Sequence, residues 1–127
     1  MLCGLKMNVC LKDDKLIRLS TLAEQTGIST HCIRTYIDRG LIQVNDRTAG
    51  GMFLFYEPVI ERLLFIRTAR DVGVPLEQID RLLSGRDNRD VDATETSLAE
   101  LTQYIETCRD RLNCFEQSLK QHLGIVL

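Results

Sequence analysis

From Leu16 to Gly40 the apolar positions fall into two short stripes separated by a glycine. Leu19, Leu22 and Ala23 recur at spacings of three and four, which predicts a helix beginning at Leu16. Thr21-Leu22-Ala23-Glu24 has the form of a capping box, although it lies late for this helix. Gly27 breaks the pattern. Ser29 then fits the N-cap of a second helix, whose apolar side is Ile33, Tyr36 and Ile37 and whose natural end is Gly40. Two short helices around a glycine turn, with Leu22, Ala23, Ile28 and Ile33 apolar, have the sequence form of a helix-turn-helix. The second helix would then expose Thr30, His31, Arg34 and Thr35. Periodicity alone equally allows an αα-hairpin that only packs.

The pattern changes after Gly40. Leu41-Ile42-Gln43-Val44 and Met52-Phe53-Leu54-Phe55 read as short strands on either side of a polar loop that ends in Gly50-Gly51. That is a hairpin, or wing, with Arg47 on its loop within reach of a phosphate or simply solvated. Pro58 suits the first turn of a third helix running to Gly73 through Ile60, Leu63, Leu64 and Ile66. Pro75 opens a fourth, with Leu76, Ile79, Leu82 and Leu83 inward. Residues 84–94 are polar and read as a linker, and Asp92-Ala93-Thr94-Glu95 suits the start of the next helix as a capping box. Leu98, Leu101, Ile105, Cys108, Leu112, Phe115, Leu119 and His122 then alternate at spacings of three and four. This is the a/d seam of a coiled coil. A stripe so narrow and long needs a partner helix, and a second copy supplies one.

Charge and composition narrow the choice. The net charge is −2, and residues 86–127 are more acidic than the rest, leaving a slight basic excess before residue 86. That permits nucleic-acid binding without demanding it. No apolar run is long enough for a membrane span, and the first residues lack signal-peptide form, so a cytoplasmic protein is expected. The five Cys then read as thiols rather than a disulfide frame. With two His, no nucleophile–base pair, no phosphate-binding loop and no ligand cluster, the chain reads as a non-enzyme with no cofactor. Residues 1–14 read as a loose lead-in, and Met7 is an alternative start.

These motifs together resemble the MerR family of transcription regulators over roughly residues 16–123. Residues 22–29 are similar to the family's opening helix and turn, and Ile33-Arg34-Thr35-Tyr36-Ile37-Asp38-Arg39-Gly40-Leu41-Ile42 to its recognition helix. Residues 62–73 resemble its third helix and Leu76-Glu77-Gln78-Ile79 its fourth. The resemblance implies a mainly α fold: a winged helix-turn-helix domain over 15–83, the linker over 84–94, and a dimerisation helix over 95–127. That helix would pair as an antiparallel coiled coil in a homodimer, through Leu98, Leu101, Ile105, Cys108, Leu112, Phe115 and Leu119. It also implies contact with double-stranded promoter DNA through Ser29, Thr30, His31, Arg34, Tyr36 and Arg47.

Departures from the family pattern are informative. Thr35 replaces an aromatic residue after Arg34, and Phe53 replaces a wing cation, which should weaken phosphate contacts. Both bring the chain nearer to the family's co-regulators of mercury-resistance operons. Mercury sensors of the family carry one Cys near the start of the long helix and two in a loop after it. Ser84-Gly85-Arg86-Asp87-Asn88-Arg89 has none, nor do the residues after Leu119, so no metal site is expected. Cys108 and Cys114 are six residues apart and share a helical face poorly, and nothing fixes the geometry of Cys3 and Cys10. The expected role is to oppose or reset a MerR-type activator at the same operator. Two alternatives stay open: a metal- or redox-responsive activator sensing through Cys108 and Cys114, and a coiled-coil adaptor that has lost DNA binding.

Overall fold

In the computed structural model, residues 16–124 are described; the expected lead-in, with Met7, Cys3 and Cys10, lies outside them. The described residues divide into two compact units, one up to residue 73 and one from residue 74.

Among the described residues, the first unit opens on a strand that the hydrophobic pattern did not predict. β1 (Ile17–Arg18) is followed by helices α1 (Leu19–Thr26) and α2 (Thr30–Asp38), strands β2 (Asp46–Arg47) and β3 (Phe53–Phe55), and helix α3 (Pro58–Asp71). The three strands form one antiparallel sheet in the order β1-β3-β2. Ile17 pairs with Phe55, Arg18 with Leu54, and Arg47 with Phe53. Leu19, Leu22, Ile28, Ile33, Leu63, Ile66 and Phe55 form a buried core. Helical and strand periods thus converge on one apolar centre.

Three local expectations are corrected. α1 starts at Leu19, with Arg18 as its N-cap and no side-chain cap, so residues 21–24 form no capping box. Leu16 to Arg18 are not helical because Ile17 and Arg18 pair with the wing. Leu41 to Val44 form no strand. Leu41 N–H closes α2 on Tyr36 C=O at 2.9 Å, beside Gly40 N–H on Ile37 C=O at 3.0 Å. This is a Schellman closure. Leu41 C=O accepts from Arg62 Nε at 2.6 Å. These backbone groups are already used, so no ladder forms there. Leu41 and Ile42 are both buried in succession, where a half-buried strand would alternate. The wing's first strand instead begins after Asn45. The side-chain oxygen of Asn45 accepts from Tyr56 N–H at 2.7 Å, and its N–H donates to Leu54 C=O at 2.9 Å. The loop turns on Thr48, whose hydroxyl accepts from Met52 N–H at 3.0 Å.

The second unit holds α4 (Leu76–Asp87) and α5 (Val91–Leu123). The expected linker over 84–94 is mostly helix: the last turn of α4, a turn at residues 88–90, and the first turn of α5. Asp90, not Asp92, is the N-cap, its carboxylate accepting from Ala93 N–H at 3.1 Å. The two helices cross closely at Gly85. A Cβ there would lie 3.0 Å from Thr94 Oγ1 and 3.2 Å from Thr94 N, so only glycine fits without displacement. Ser97 is buried on the same face of α5. Further along, Arg81 of α4 reaches Glu100 of α5 at 3.2 Å, and the 33 residues of α5 span about 50 Å at 1.5 Å per residue.

Candidate nucleic-acid interface

The helix-turn-helix is held by hydrogen bonds as well as by packing. Ser29 caps α2, accepting from Cys32 N–H at 3.1 Å. In the turn, the buried Thr26 hydroxyl donates to Leu22 C=O at 2.8 Å and accepts from Ile28 N–H at 3.2 Å. Gly27 sits at φ +74°, and a Cβ there would come within 2.9 Å of Arg67 Nη1. The positive φ favours glycine here, and a side chain would also have to displace the Arg67 guanidinium. Arg67 Nη1 donates to Thr26 C=O at 2.6 Å, and Arg62 holds Leu41 C=O as described. Two arginines five residues apart on α3 therefore hold the turn between α1 and α2 and the residue that closes α2. Their place in α3 was legible from the sequence but this task was not, since nothing local marks a long-range arginine–carbonyl bond.

We expect Arg67→Met, which keeps an apolar stem but removes the donor, to lower stability by about 1–2 kcal/mol. The exposed 3.8 Å pair of Arg67 with Asp71 adds little to this. Urea unfolding of the full chain measures it. An unchanged midpoint would mean that the arginine–carbonyl bond does not hold the turn.

With that frame set, α2 presents one polar face. Thr30, His31, Arg34 and Thr35 are exposed, and the first turn carries no acidic residue, which suits an approaching phosphate. Thr35 spends its hydroxyl within the helix, donating to His31 C=O at 3.1 Å. Ser29 is exposed but already occupied as the cap. Tyr36 does not belong to the polar face: it is buried with Ile33, and burial, first among its surroundings, raises its phenol pKa. Of the residues expected to touch DNA, it is the one whose side chain packs in the core.

Arg34 and Arg47 meet through a residue that reads as a weakness in the sequence. The Phe53 ring carries the Arg34 guanidinium 5.6 Å from its centroid and that of Arg47 at 4.8 Å. Both fall within cation–π range. Phe53 in turn stands edge-on to the fully buried Phe55, with centroids 6.5 Å apart and planes at 83°. A ring anchored to the core thus joins a cation of the second helix to a cation of the wing. The signal for this was the cross-strand pair Arg47–Phe53, which follows only once β2 is placed at 46–47.

Among the cysteines, Cys32 and Cys114 are exposed and Cys108 half-buried, all as free thiols. No group of three or more His, Cys, Asp or Glu suited to a metal ion occurs among the described residues. Among those residues, too, no helix is long and apolar enough to cross a membrane.

The sequence matches the family described as "MerR HTH family regulatory protein" over residues 17–86, and "MerR, DNA binding" over residues 60–122. The chain belongs to the MerR family. It is a DNA-binding transcriptional regulator of that family. The HTH-type transcriptional regulator MerD of Acinetobacter calcoaceticus is 37% identical over 101 residues, covering 80% of this chain and 84% of the relative. The crystal structure of HiNmlR, a MerR family regulator lacking the sensor domain and bound to promoter DNA, shares the fold at 23% identity. Its TM-score is 0.63, covering 87% of this chain and 80% of that one. The transcription regulator PbrR691 from Ralstonia metallidurans CH34, solved in complex with lead(II), is 25% identical with a TM-score of 0.58 and 83% coverage of each chain.

Proposed function

We propose that this protein is a MerD-like co-regulator of a mercury-resistance operon. Two copies form a cytoplasmic homodimer that binds double-stranded promoter DNA, shares the operator with a MerR-type activator and opposes it without sensing metal itself. The observation that carries this reading is the similarity to MerD, which spans 80% of the chain and both units.

The arrangement of α5 supports the dimer. Leu98, Ile105, Leu112 and Phe115 are between 49% and 67% exposed along one stripe, while Leu101, Cys108 and Leu119 are half-buried beside them. A seam of this spacing is covered by a second identical helix. The cation pair on Phe53 supports DNA contact by the wing and weighs against the adaptor reading. Position within α5 weighs against the sensor reading. Cys108 and Cys114 differ by six residues, about 9 Å along the axis and on diverging faces. Two thiolates binding one ion must both lie about 2.3 Å from it.

The test combines binding with regulation. Purified protein is titrated onto a mercury-operon promoter fragment with competing small thiols present, with and without one equivalent of Hg²⁺ per dimer. Metal is expected to leave operator affinity and DNA distortion unchanged, whereas a sensor couples the two by 1–3 kcal/mol, about 5- to 150-fold. Cys108→Ser and Cys114→Ser are expected to preserve regulation. In cells carrying the activator, added copies of this protein should lower the mercury-induced transcript. A metal-dependent change in DNA binding that either Cys variant abolishes would establish the sensor instead.

A further inference from the structure

We propose that Phe53 is a positioning residue for DNA binding, whose ring holds Arg34 of the recognition helix and Arg47 of the wing as one cationic unit. The inference rests on the promoter-binding reading and deepens it. Its basis is the shared ring: guanidinium carbons at 5.6 and 4.8 Å from one centroid, on side chains from two different elements.

Two exposed arginines brought this close repel one another and would each sample many rotamers. An aromatic face offsets both effects, because its negative quadrupole attracts each cation and its plane restricts each guanidinium. An aliphatic side chain of similar size would do neither. The ring is itself fixed. Phe53 pairs across the sheet with Arg47 and stands against Phe55, which is fully buried. Neither Arg34 nor Arg47 forms an ion pair among the described residues, so both charges remain available to an anion. Ordering them before DNA arrives lowers the cost of binding. A wing without a cation at position 53 thereby still presents positive charge, supplied by the neighbours that the ring holds. Helix and wing would then engage the duplex as a coupled pair.

The experiment uses the full chain and a promoter fragment, with the variants F53L, F53Y, F53W, R34A, R47A and the double R34A/R47A. F53L is expected to bind about fivefold more weakly, and F53Y and F53W to bind as the wild type does. With the ring present, the double arginine variant should lose less affinity than the product of the two single losses. In the F53L background that coupling should vanish. The chain contains no Trp, so F53W adds one indole whose emission should change in free protein when either arginine is removed. F53L also gives up the edge-on packing against Phe55, so its thermal midpoint is measured. The coupling and emission in the F53W background do not depend on F53L folding. F53L binding like the wild type, F53W binding as weakly as F53L, or coupling unchanged in F53L would each overturn the proposal. A wild-type protein with no preference for operator over scrambled DNA would overturn the promoter reading as well, whereas normal F53L with defective R34A overturns the platform alone.

Discussion

Leu112→Asp is expected to convert the protein to monomers and to abolish operator binding. Leu112 lies at the middle of the α5 stripe and is 67% exposed in the single chain, so the carboxylate costs little there. In the pair it would enter an apolar seam without a cationic partner. Burying an uncompensated charge costs several kcal/mol, and a symmetric dimer would bear it twice. Each monomer keeps its helix-turn-helix and wing, so helical content and the unfolding of the first unit should change little. Operator affinity should nonetheless collapse, because two half-sites can no longer be engaged by one particle. Gln117→Asp adds the same charge off the seam and should leave the dimer intact. Sedimentation equilibrium at micromolar concentration reads the outcome. A wild-type protein that sediments as a monomer, or an L112D variant that remains dimeric, would remove the coiled-coil reading.

What the sequence made legible follows from how local each signal is. Ser29 as N-cap, Gly40 as the residue closing α2, and Pro58 in the first turn of α3 each act within one helical turn, and the structure shows all three. The α5 stripe was legible because a three–four repeat over so many residues has few other uses. Errors arose where distant partners overrode local pattern. Leu41-Ile42 has strand-like composition, but Arg62, twenty-one residues later, takes the Leu41 carbonyl, and both side chains fill the core. Ile17 falls within the helix expected from Leu16, yet it pairs with Phe55 in the sheet. Tyr36 is the instructive case in the interface. It falls within the same motif as Arg34, but two residues along a helix turn the side chain by about 200°, so one is exposed and the other buried. Phe53 reads as the loss of a cation because its role depends on two arginines that only the folded sheet brings together.

The second large effect concerns the arginines themselves. Arg34→Ala is expected to weaken operator binding by about 1–3 kcal/mol for each base that Arg34 reads, and a dimer with two recognition helices is weakened at both half-sites. Arg34 is exposed on the polar face of α2, beside Thr30 and His31, on a helix whose opposite side is pinned by Ile33 and Tyr36 in the core. Truncation should therefore leave the fold intact, and unfolding should shift by no more than about 0.5 kcal/mol, as at other surface positions. Arg47 sits on the wing with its backbone N–H bonded to Asp46 Oδ1 at 2.7 Å, which leaves the guanidinium directed by the Phe53 ring rather than by a carboxylate. It is expected to meet phosphate. Arg47→Ala should therefore weaken operator and scrambled DNA alike and reduce the slope of log affinity against log salt by about one for each phosphate that Arg47 neutralises. Arg34→Ala should instead narrow the gap between operator and scrambled DNA. Titrations of both fragments at several salt concentrations separate the two roles. If Arg34→Ala binds the operator as the wild type does, α2 is not the helix that reads the DNA. If Arg47→Ala lowers operator affinity but spares scrambled DNA at every salt concentration, the wing reads sequence rather than charge.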